Sequence, residues 1–309
     1  MERDRIVVLG TGGTIAGSAD SSADHVGYRA GQVPVINLLA AIPSLSGLRI
    51  ETEQVAQIDS KDMEPAVWAD LATRCNHWLA QDDVLGVVIT HGTDTLEETA
   101  YLLSKLLRGD RPVVLTCAMR PGTALSADGP QNIADAVAVV RTPGARGVTV
   151  VCAGKMHAAS DVRKVHPYRL DAFSSGDTGP IGFVEDGQVV LARAWPAEVE
   201  RGARVTLAAG TAWPWVEIVH SHAGSDGRVV QALVRDGVQG LVVAATGNGT
   251  VHARLEEALL AAMAAGVSVV RATRCSEGRL IDAGGTRLPA HPLTPAKARI
   301  DLMLDLQAR

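Results

Sequence analysis

Short aliphatic runs, mostly β-branched, alternate along this chain with longer stretches of helical spacing. Ile6-Val7-Val8-Leu9 predicts a first strand, Val33 to Ile42 a helix stopped by Pro43, and Gly47 to Gln57 a segment holding a second strand. Met63 to Leu79 has helical spacing, Val84 to Ile89 is an unbroken apolar strand, and Thr95 to Leu107 is a helix ending near Gly109. Pro112 to Thr116, a helix around Ile133 to Val140, and Gly147 to Cys152 continue the rhythm. Strands without polar alternation point to a sheet covered by helices on both faces, so the predicted class is α/β with parallel strands.

The rhythm breaks between Ala192 and Pro214, where two prolines and several charges interrupt any periodic element. Residues 192–213 therefore read as a linker between an N-terminal domain, 1–191, and a smaller C-terminal α/β domain, 214–309. The second unit is predicted to hold strands at Trp215 to Val219, Gly240 to Ala245 and Val267 to Arg271, with helices at Arg228 to Arg235 and Val251 to Ala264. A last helix is predicted over Pro295 to Leu306, with Thr294 as N-cap and Pro295 at the first helical position.

Composition narrows the function. A chain of 309 residues fits two domains or one large one, and 47% hydrophobic with 20% charged residues is the make-up of an ordinary globular protein. Its formal charge of −5 argues against a general nucleic-acid binder, which needs a basic surplus to release counterions. The longest apolar run, Ala258 to Val270, is shorter than the about 20 residues of a membrane span. Met1-Glu2-Arg3-Asp4-Arg5 does not open like a secretory signal, so the expected location is the cytoplasm. Cys75, Cys117, Cys152 and Cys275 form no C-x-x-C pair, which implies neither a zinc site nor a disulfide framework.

Three polar clusters stand out, the first two directly after predicted strands. Gly10-Thr11-Gly12-Gly13-Thr14-Ile15-Ala16-Gly17 puts flexible backbone and a hydroxyl at a strand's carboxyl end. It is no dinucleotide fingerprint, because Ile15 stands where the third glycine belongs, and no phosphate loop, because GK[ST] is missing. A plain turn with a capping threonine explains it as well as catalysis does. Thr90-His91-Gly92-Thr93-Asp94-Thr95 repeats the arrangement before another helix, where Thr93 or Asp94 alone would pass for an N-cap. In Ser160-Asp161-Val162-Arg163-Lys164 the lysine is either a surface charge or, if buried beside a threonine and held by an aspartate, a base. Ser60-Lys61-Asp62 is a fourth, less distinctive polar cluster. His220-x-His222 places two imidazoles on one strand face without a nearby third ligand, so no metal is expected.

Together these clusters resemble the bacterial-type L-asparaginase (asparaginase/glutaminase) family. Val8 to Gly17 is similar to the first family signature, and Gly86 to Tyr101, containing Thr90-His91-Gly92-Thr93-Asp94-Thr95, to the second. Ala118-Met119-Arg120-Pro121, Ser126-Ala127-Asp128-Gly129-Pro130 with Asn132, Gly247-Asn248-Gly249 and Pro295-Ala296-Lys297-Ala298-Arg299 match as well.

The resemblance implies a larger flavodoxin-like domain joined to a smaller parallel α/β domain. It implies hydrolysis of L-asparagine to L-aspartate and ammonia through a threonine acyl-enzyme, with no cofactor. Thr14 matches the nucleophile, and Tyr28 the tyrosine of a closing loop, here the small-residue stretch Gly17 to Gly31. Thr93, Asp94 and Lys164 match a second polar triad. Ser60, Lys61, Thr93, Asp94, Ala118 and Asn248 are the expected substrate contacts. The family also implies a homotetramer with its active site at a dimer interface.

Three departures are visible. Lys61 replaces a residue that is usually neutral, where a cation would favour a carboxylate and repel an amine; Thr250 replaces an asparagine found in some relatives; and Glu277 and Asp282 are the only acids in the stretch that would partner the tyrosine. The rival functions are a glutaminase, an ammonia-supplying amidotransferase subunit, and a non-catalytic amino-acid sensor.

Overall fold

The computed structural model describes residues 3–196, 212–282 and 284–309. They form two compact units, one up to residue 196 and one from residue 212 onward. Most of the linker expected at 192–213 lies outside the described residues, but its first part is structured. Ala192 and Arg193 donate backbone N–H bonds to Ile181 at 2.9 and 3.0 Å, and Trp195 packs against the first unit's core.

The first unit holds strands β1 (Arg5–Gly12), β2 (Ile50–Ile58), β3 (Val84–Thr90), β4 (Pro112–Thr116) and β5 (Gly147–Cys152). Its helices are α1 (Val35–Ala40), α2 (Pro65–Leu79), α3 (Leu96–Leu106) and α4 (Gly129–Arg141). The parallel strands lie in the order β2-β1-β3-β4-β5, the flavodoxin-like order, so the chain reverses direction across the sheet between β1 and β3. In open α/β sheets this switch point opens a crevice at the carboxyl ends of the strands.

Period-two alternation explains why the sheet needs helices on both faces. Val7, Leu9, Val87, Ile89, Val113 and Leu115 face α2 and α3, where Leu71, Cys75, Leu96, Ala100 and Leu103 meet them. Ile6, Val8, Val88 and Val114 point the other way, onto Val35 of α1 and Ile133, Ala136, Val137 and Val140 of α4. Both layers are almost fully buried; truncating one such leucine to alanine costs about 2–5 kcal/mol in comparable cores.

A second half of this sheet was not predicted. Strands β6 (Lys155–Ala158), β9 (Gly182–Glu185) and β10 (Gln188–Leu191) extend it beyond β5 with antiparallel pairing. Between β6 and β9, β7 (Arg163–Lys164) and β8 (Phe173–Ser174) make a separate two-stranded ribbon. These strands have two to four residues and carry polar side chains, too short for any periodicity to show.

The second unit has the parallel sheet β11 (Val216–His220), β12 (Gly240–Ala245) and β13 (Ser268–Thr273), with α5 (Arg228–Arg235), α6 (Ala253–Ala264) and α7 (Pro295–Gln307). α5 and α6 cover one face through Val230, Leu255 and Leu259. On α7, Leu302 and Leu306 approach Gly240 so closely that a Cβ there would lie 3.0 and 3.1 Å from them. Thr294 caps α7 as expected, its side chain accepting the Lys297 N–H.

Candidate active site

The first two Gly-Thr clusters do leave neighbouring strands at the switch point. In the β1–β3 register Leu9 is level with Ile89 and Gly10 with Thr90. Beyond this rung Gly12 and Gly13 take positive φ angles of 101° and 79°, a region that side chains other than glycine rarely adopt. The space is as restrictive as the dihedral angle: a Cβ on Gly13 would sit 2.3 Å from Cα of Gly92. The residues immediately before Thr14 and Thr93 therefore touch backbone to backbone. Both threonines are buried, at 6% relative exposure, although they are on separate loops.

Thr14 opens a short 3-10 turn, and its Oγ1 lies 2.6 Å from the Tyr28 hydroxyl. Tyr28 sits at the base of the loop expected to close over the site. That loop is cinched by two backbone bonds between Ser18 and Arg29, both 2.9 Å. It is also tied to the chain after β4: Gly122 donates to the Gly17 carbonyl and Ala19 to Thr123 Oγ1, at 3.2 and 3.0 Å. Within the loop the Asp24 carboxylate accepts the N–H groups of Gly27 and Val26, which hold it below the usual carboxylate range.

Lys164 Nζ donates to Thr93 Oγ1 at 2.7 Å and to Asp94 Oδ1 at 2.6 Å. The lysine expected to need a threonine and an aspartate has both. The aspartate is Asp94; its sequence neighbour Asp161 instead pairs with Arg193 at 2.8 Å. The lysine arrives on the β7–β8 ribbon, and its backbone N–H is held by the Glu97 carboxylate at 2.6 Å. Glu97 stands in the first turn of α3, where negative charge suits the helix dipole. Glu97 was not among the candidate residues, because an acid at a helix start has its own local explanation.

Ser60 joins the same neighbourhood. Its Oγ accepts the Asp94 N–H at 3.1 Å and its carbonyl accepts the Thr95 hydroxyl at 2.8 Å. Lys61 turns to the carboxylates of its own turn, bonding Asp62 and lying 3.8 Å from Asp59. The hydrogen bond to Asp62 raises its pKa. Ala118 is buried just beyond β4. The loop it opens is fixed by Asp128, whose carboxylate accepts the N–H groups of Met119 and Arg120 at 3.0 and 2.9 Å. Asn248 belongs to the second unit, where its amide closes a ring with the backbone of Ile281, with bonds of 2.9 and 2.8 Å. Asp282 pairs there with the buried Arg271 at 2.8 Å. His222 turns its Nδ1 to the Ala223 carbonyl. Among the described residues no three His, Cys, Asp or Glu side chains are grouped to hold a metal ion.

Comparison with known proteins adds to this geometry. Residues 5–197 match the family "Asparaginase, N-terminal", and residues 215–309 match "Glutaminase/Asparaginase C-terminal domain". The chain belongs to the asparaginase family. It is 36% identical to L-asparaginase 2 of Bacillus subtilis over 97% of this chain and 82% of that protein. It is 35% identical to the glutaminase-asparaginase of Pseudomonas fluorescens biotype A over 97% of this chain and 86% of that one. The crystal structure of the probable cytoplasmic L-asparaginase from Campylobacter jejuni superposes with a TM-score of 0.93 at 39% identity, covering 98% of this chain and 95% of that one. The asparaginase fold thus covers the first unit with its switch-point threonines as well as the second.

Proposed function

We propose that the chain hydrolyses the side-chain amide of L-asparagine, giving L-aspartate and ammonia through an ester on Thr14. The observation that carries this reading is the pairing of Thr14 Oγ1 with Tyr28 and of Thr93 Oγ1 with Lys164 on loops that leave adjacent strands.

A carboxamide is a poor electrophile and an alcohol a poor nucleophile, so dividing the reaction through an ester replaces one high barrier with two lower ones. Thr14 Oγ1 attacks the amide carbon as its proton moves to the Tyr28 oxygen and the Tyr28 hydroxyl proton moves on to the substrate nitrogen. Backbone N–H groups on the glycine turns meet the developing oxyanion; each such donor is worth about 3–4 kcal/mol in well-studied hydrolases. Collapse of the adduct, its nitrogen now protonated, expels ammonia and leaves the ester on Thr14. Water, held by Thr93 and Lys164, then attacks the ester, its proton restores the Thr14 hydroxyl, and aspartate leaves. Asp94 holds the Lys164 amine in place, and Ser60 holds the backbone that presents Asp94.

Substrate contacts to Ser60, Lys61, Thr93, Asp94 and Ala118, and closure of the 17–31 loop, belong to the same proposal. So do a tetramer with a contribution from Asn248, a domain boundary within 192–213, and a cytoplasmic location. The relative named a glutaminase-asparaginase supports a second reading, in which L-glutamine is also cleaved. Ammonia release from L-Asn, D-Asn, L-Gln and a tRNA-linked amide by the purified protein separates these readings. Thr14→Ala and Thr93→Ala are each expected to abolish release with the fold intact; full activity in both would point to a different nucleophile.

A further inference from the structure

His91 is fully buried between β3 and Thr93, and its chemistry plays no part in the steps above. Its ring nitrogens form two hydrogen bonds: Nδ1 with the Gly92 carbonyl at 2.7 Å and Nε2 with Thr99 Oγ1 at 3.0 Å. Thr99 Oγ1 in turn accepts from Trp68 Nε1 at 2.9 Å. The direction of this chain is fixed at both ends. An indole nitrogen only donates and a carbonyl oxygen only accepts. Trp68 therefore donates to Thr99, the Thr99 hydroxyl donates to Nε2, and the proton of a neutral imidazole sits on Nδ1, donating to Gly92. Burial also disfavours the imidazolium, pushing the His91 pKa down to about 4.

The Gly92 carbonyl belongs to the peptide that carries the Thr93 N–H. That peptide is planar and trans, so fixing the oxygen fixes the opposite direction of the N–H. A carbonyl that accepts a strong hydrogen bond also polarises its amide, making the N–H a better donor. Among the described residues no protein acceptor takes the Thr93 N–H. The same peptide has little other freedom: a Cβ on Gly92 would sit 2.5 Å from Ser60 Oγ and 3.1 Å from Cα of Gly13.

We propose that His91 is a positioning residue of the amide-cleaving site, its Nδ1–H locking the Gly92–Thr93 peptide so that the Thr93 N–H points at the strand-end site that also holds Thr14. Trp68 and Thr99 set the tautomer that makes this possible. The proposal rests on the reading of Thr14 and Thr93 as the reacting pair.

The test compares wild type, His91→Gln, His91→Asn and Thr14→Ala in L-asparagine hydrolysis, with 15N spectra of histidine-labelled wild type. Asparagine places an amide N–H near the Nδ1 position, whereas glutamine reaches toward the Nε2 position and leaves Gly92 unbonded. His91→Gln is expected to lower kcat about tenfold to a hundredfold with KM held within about twofold, because the contact matters most as charge develops. His91→Asn is expected to recover most of that loss, and the wild-type ring to show a proton on Nδ1. Equal losses in both variants, an unchanged kcat in His91→Gln, or a proton on Nε2 would each overturn the proposal. The spectrum decides even if His91→Gln fails to fold. A fully active Thr14→Ala would sink the underlying site reading instead. An inactive Thr14→Ala beside a His91→Gln enzyme that behaves as wild type would sink the role of His91 alone.

Discussion

The Glu97 carboxylate accepts the backbone N–H of Lys164 at 2.6 Å, tying the first turn of α3 to the ribbon that carries the lysine. Two pieces of chain far apart in sequence are thus joined beside the Thr93–Lys164 contact. Glu97→Ala releases that backbone anchor without touching the amine. It is expected to reduce kcat about tenfold, by misplacing a group whose geometry matters at the ångström level. Steady-state ammonia release measures this; an unchanged kcat would show that the ribbon is held well enough by its pairing with β8.

Gly13→Ala strains the turn twice, through the positive φ and through collision with Gly92. Comparable backbone strain costs about 1–3 kcal/mol. Chemical denaturation should show a loss of that order. Ammonia release should fall further than stability does, because relief of the clash separates the loops of Thr14 and Thr93. Near-normal turnover would mean the two loops do not need this contact.

His91 makes stability depend on pH. Its folded-state pKa of about 4 lies below the 6.5 of an exposed imidazole, so between these values the unfolded chain binds the extra proton. The contribution is whole above pH 6.5 and is lost as pH falls toward 4. It amounts to about 3 kcal/mol, from the pKa gap at 1.36 kcal/mol per unit. Denaturant titrations of wild type and His91→Asn at pH 7 and pH 4 should show the difference between them changing by about this amount. A difference that stays flat with pH would rule out a buried neutral ring.

The thiols should react unequally. Cys75, Cys117 and Cys152 are buried, and burial raises the pKa of Cys75 far above that of a free thiol. Cys117 is raised as well, by the hydrogen bond it shares with Cys152 and by burial. Cys275 is exposed. A thiol reagent should modify Cys275 in the native protein and the other three only after unfolding; rapid modification of four thiols would contradict this burial.

The central parallel strands and the two threonine loops were legible because β1 and β3 are apolar runs with glycines at or just beyond their ends, and β4 and β5 are short, mostly aliphatic runs. Parallel strands buried on both faces leave that trace, and the predicted strands at 84–89, 112–116 and 147–152 match β3, β4 and β5 to within a residue. Strands β6 to β10, between residues 155 and 191, left none, being only two to four residues long. From spacing alone the site was legible in its residue types but not in its partners; only the family resemblance grouped Thr93 and Asp94 with Lys164. Asp94, not the nearby Asp161, holds Lys164, because the ribbon brings the lysine to α3 instead of leaving it beside its sequence neighbours. His91 passed as part of a motif; only its burial and the hydrogen-bond chain from Trp68 show that it is fixed in one protonation state.

The β7–β8 ribbon stands apart from the eight-stranded sheet yet delivers Lys164. The threonines are set by the frame of the molecule, whereas the amine is supplied by an attachment to it. Under the proposed mechanism, exchanging or reshaping that attachment would retune the Lys164-assisted step while the scaffold and the Thr14 turn are left as they are.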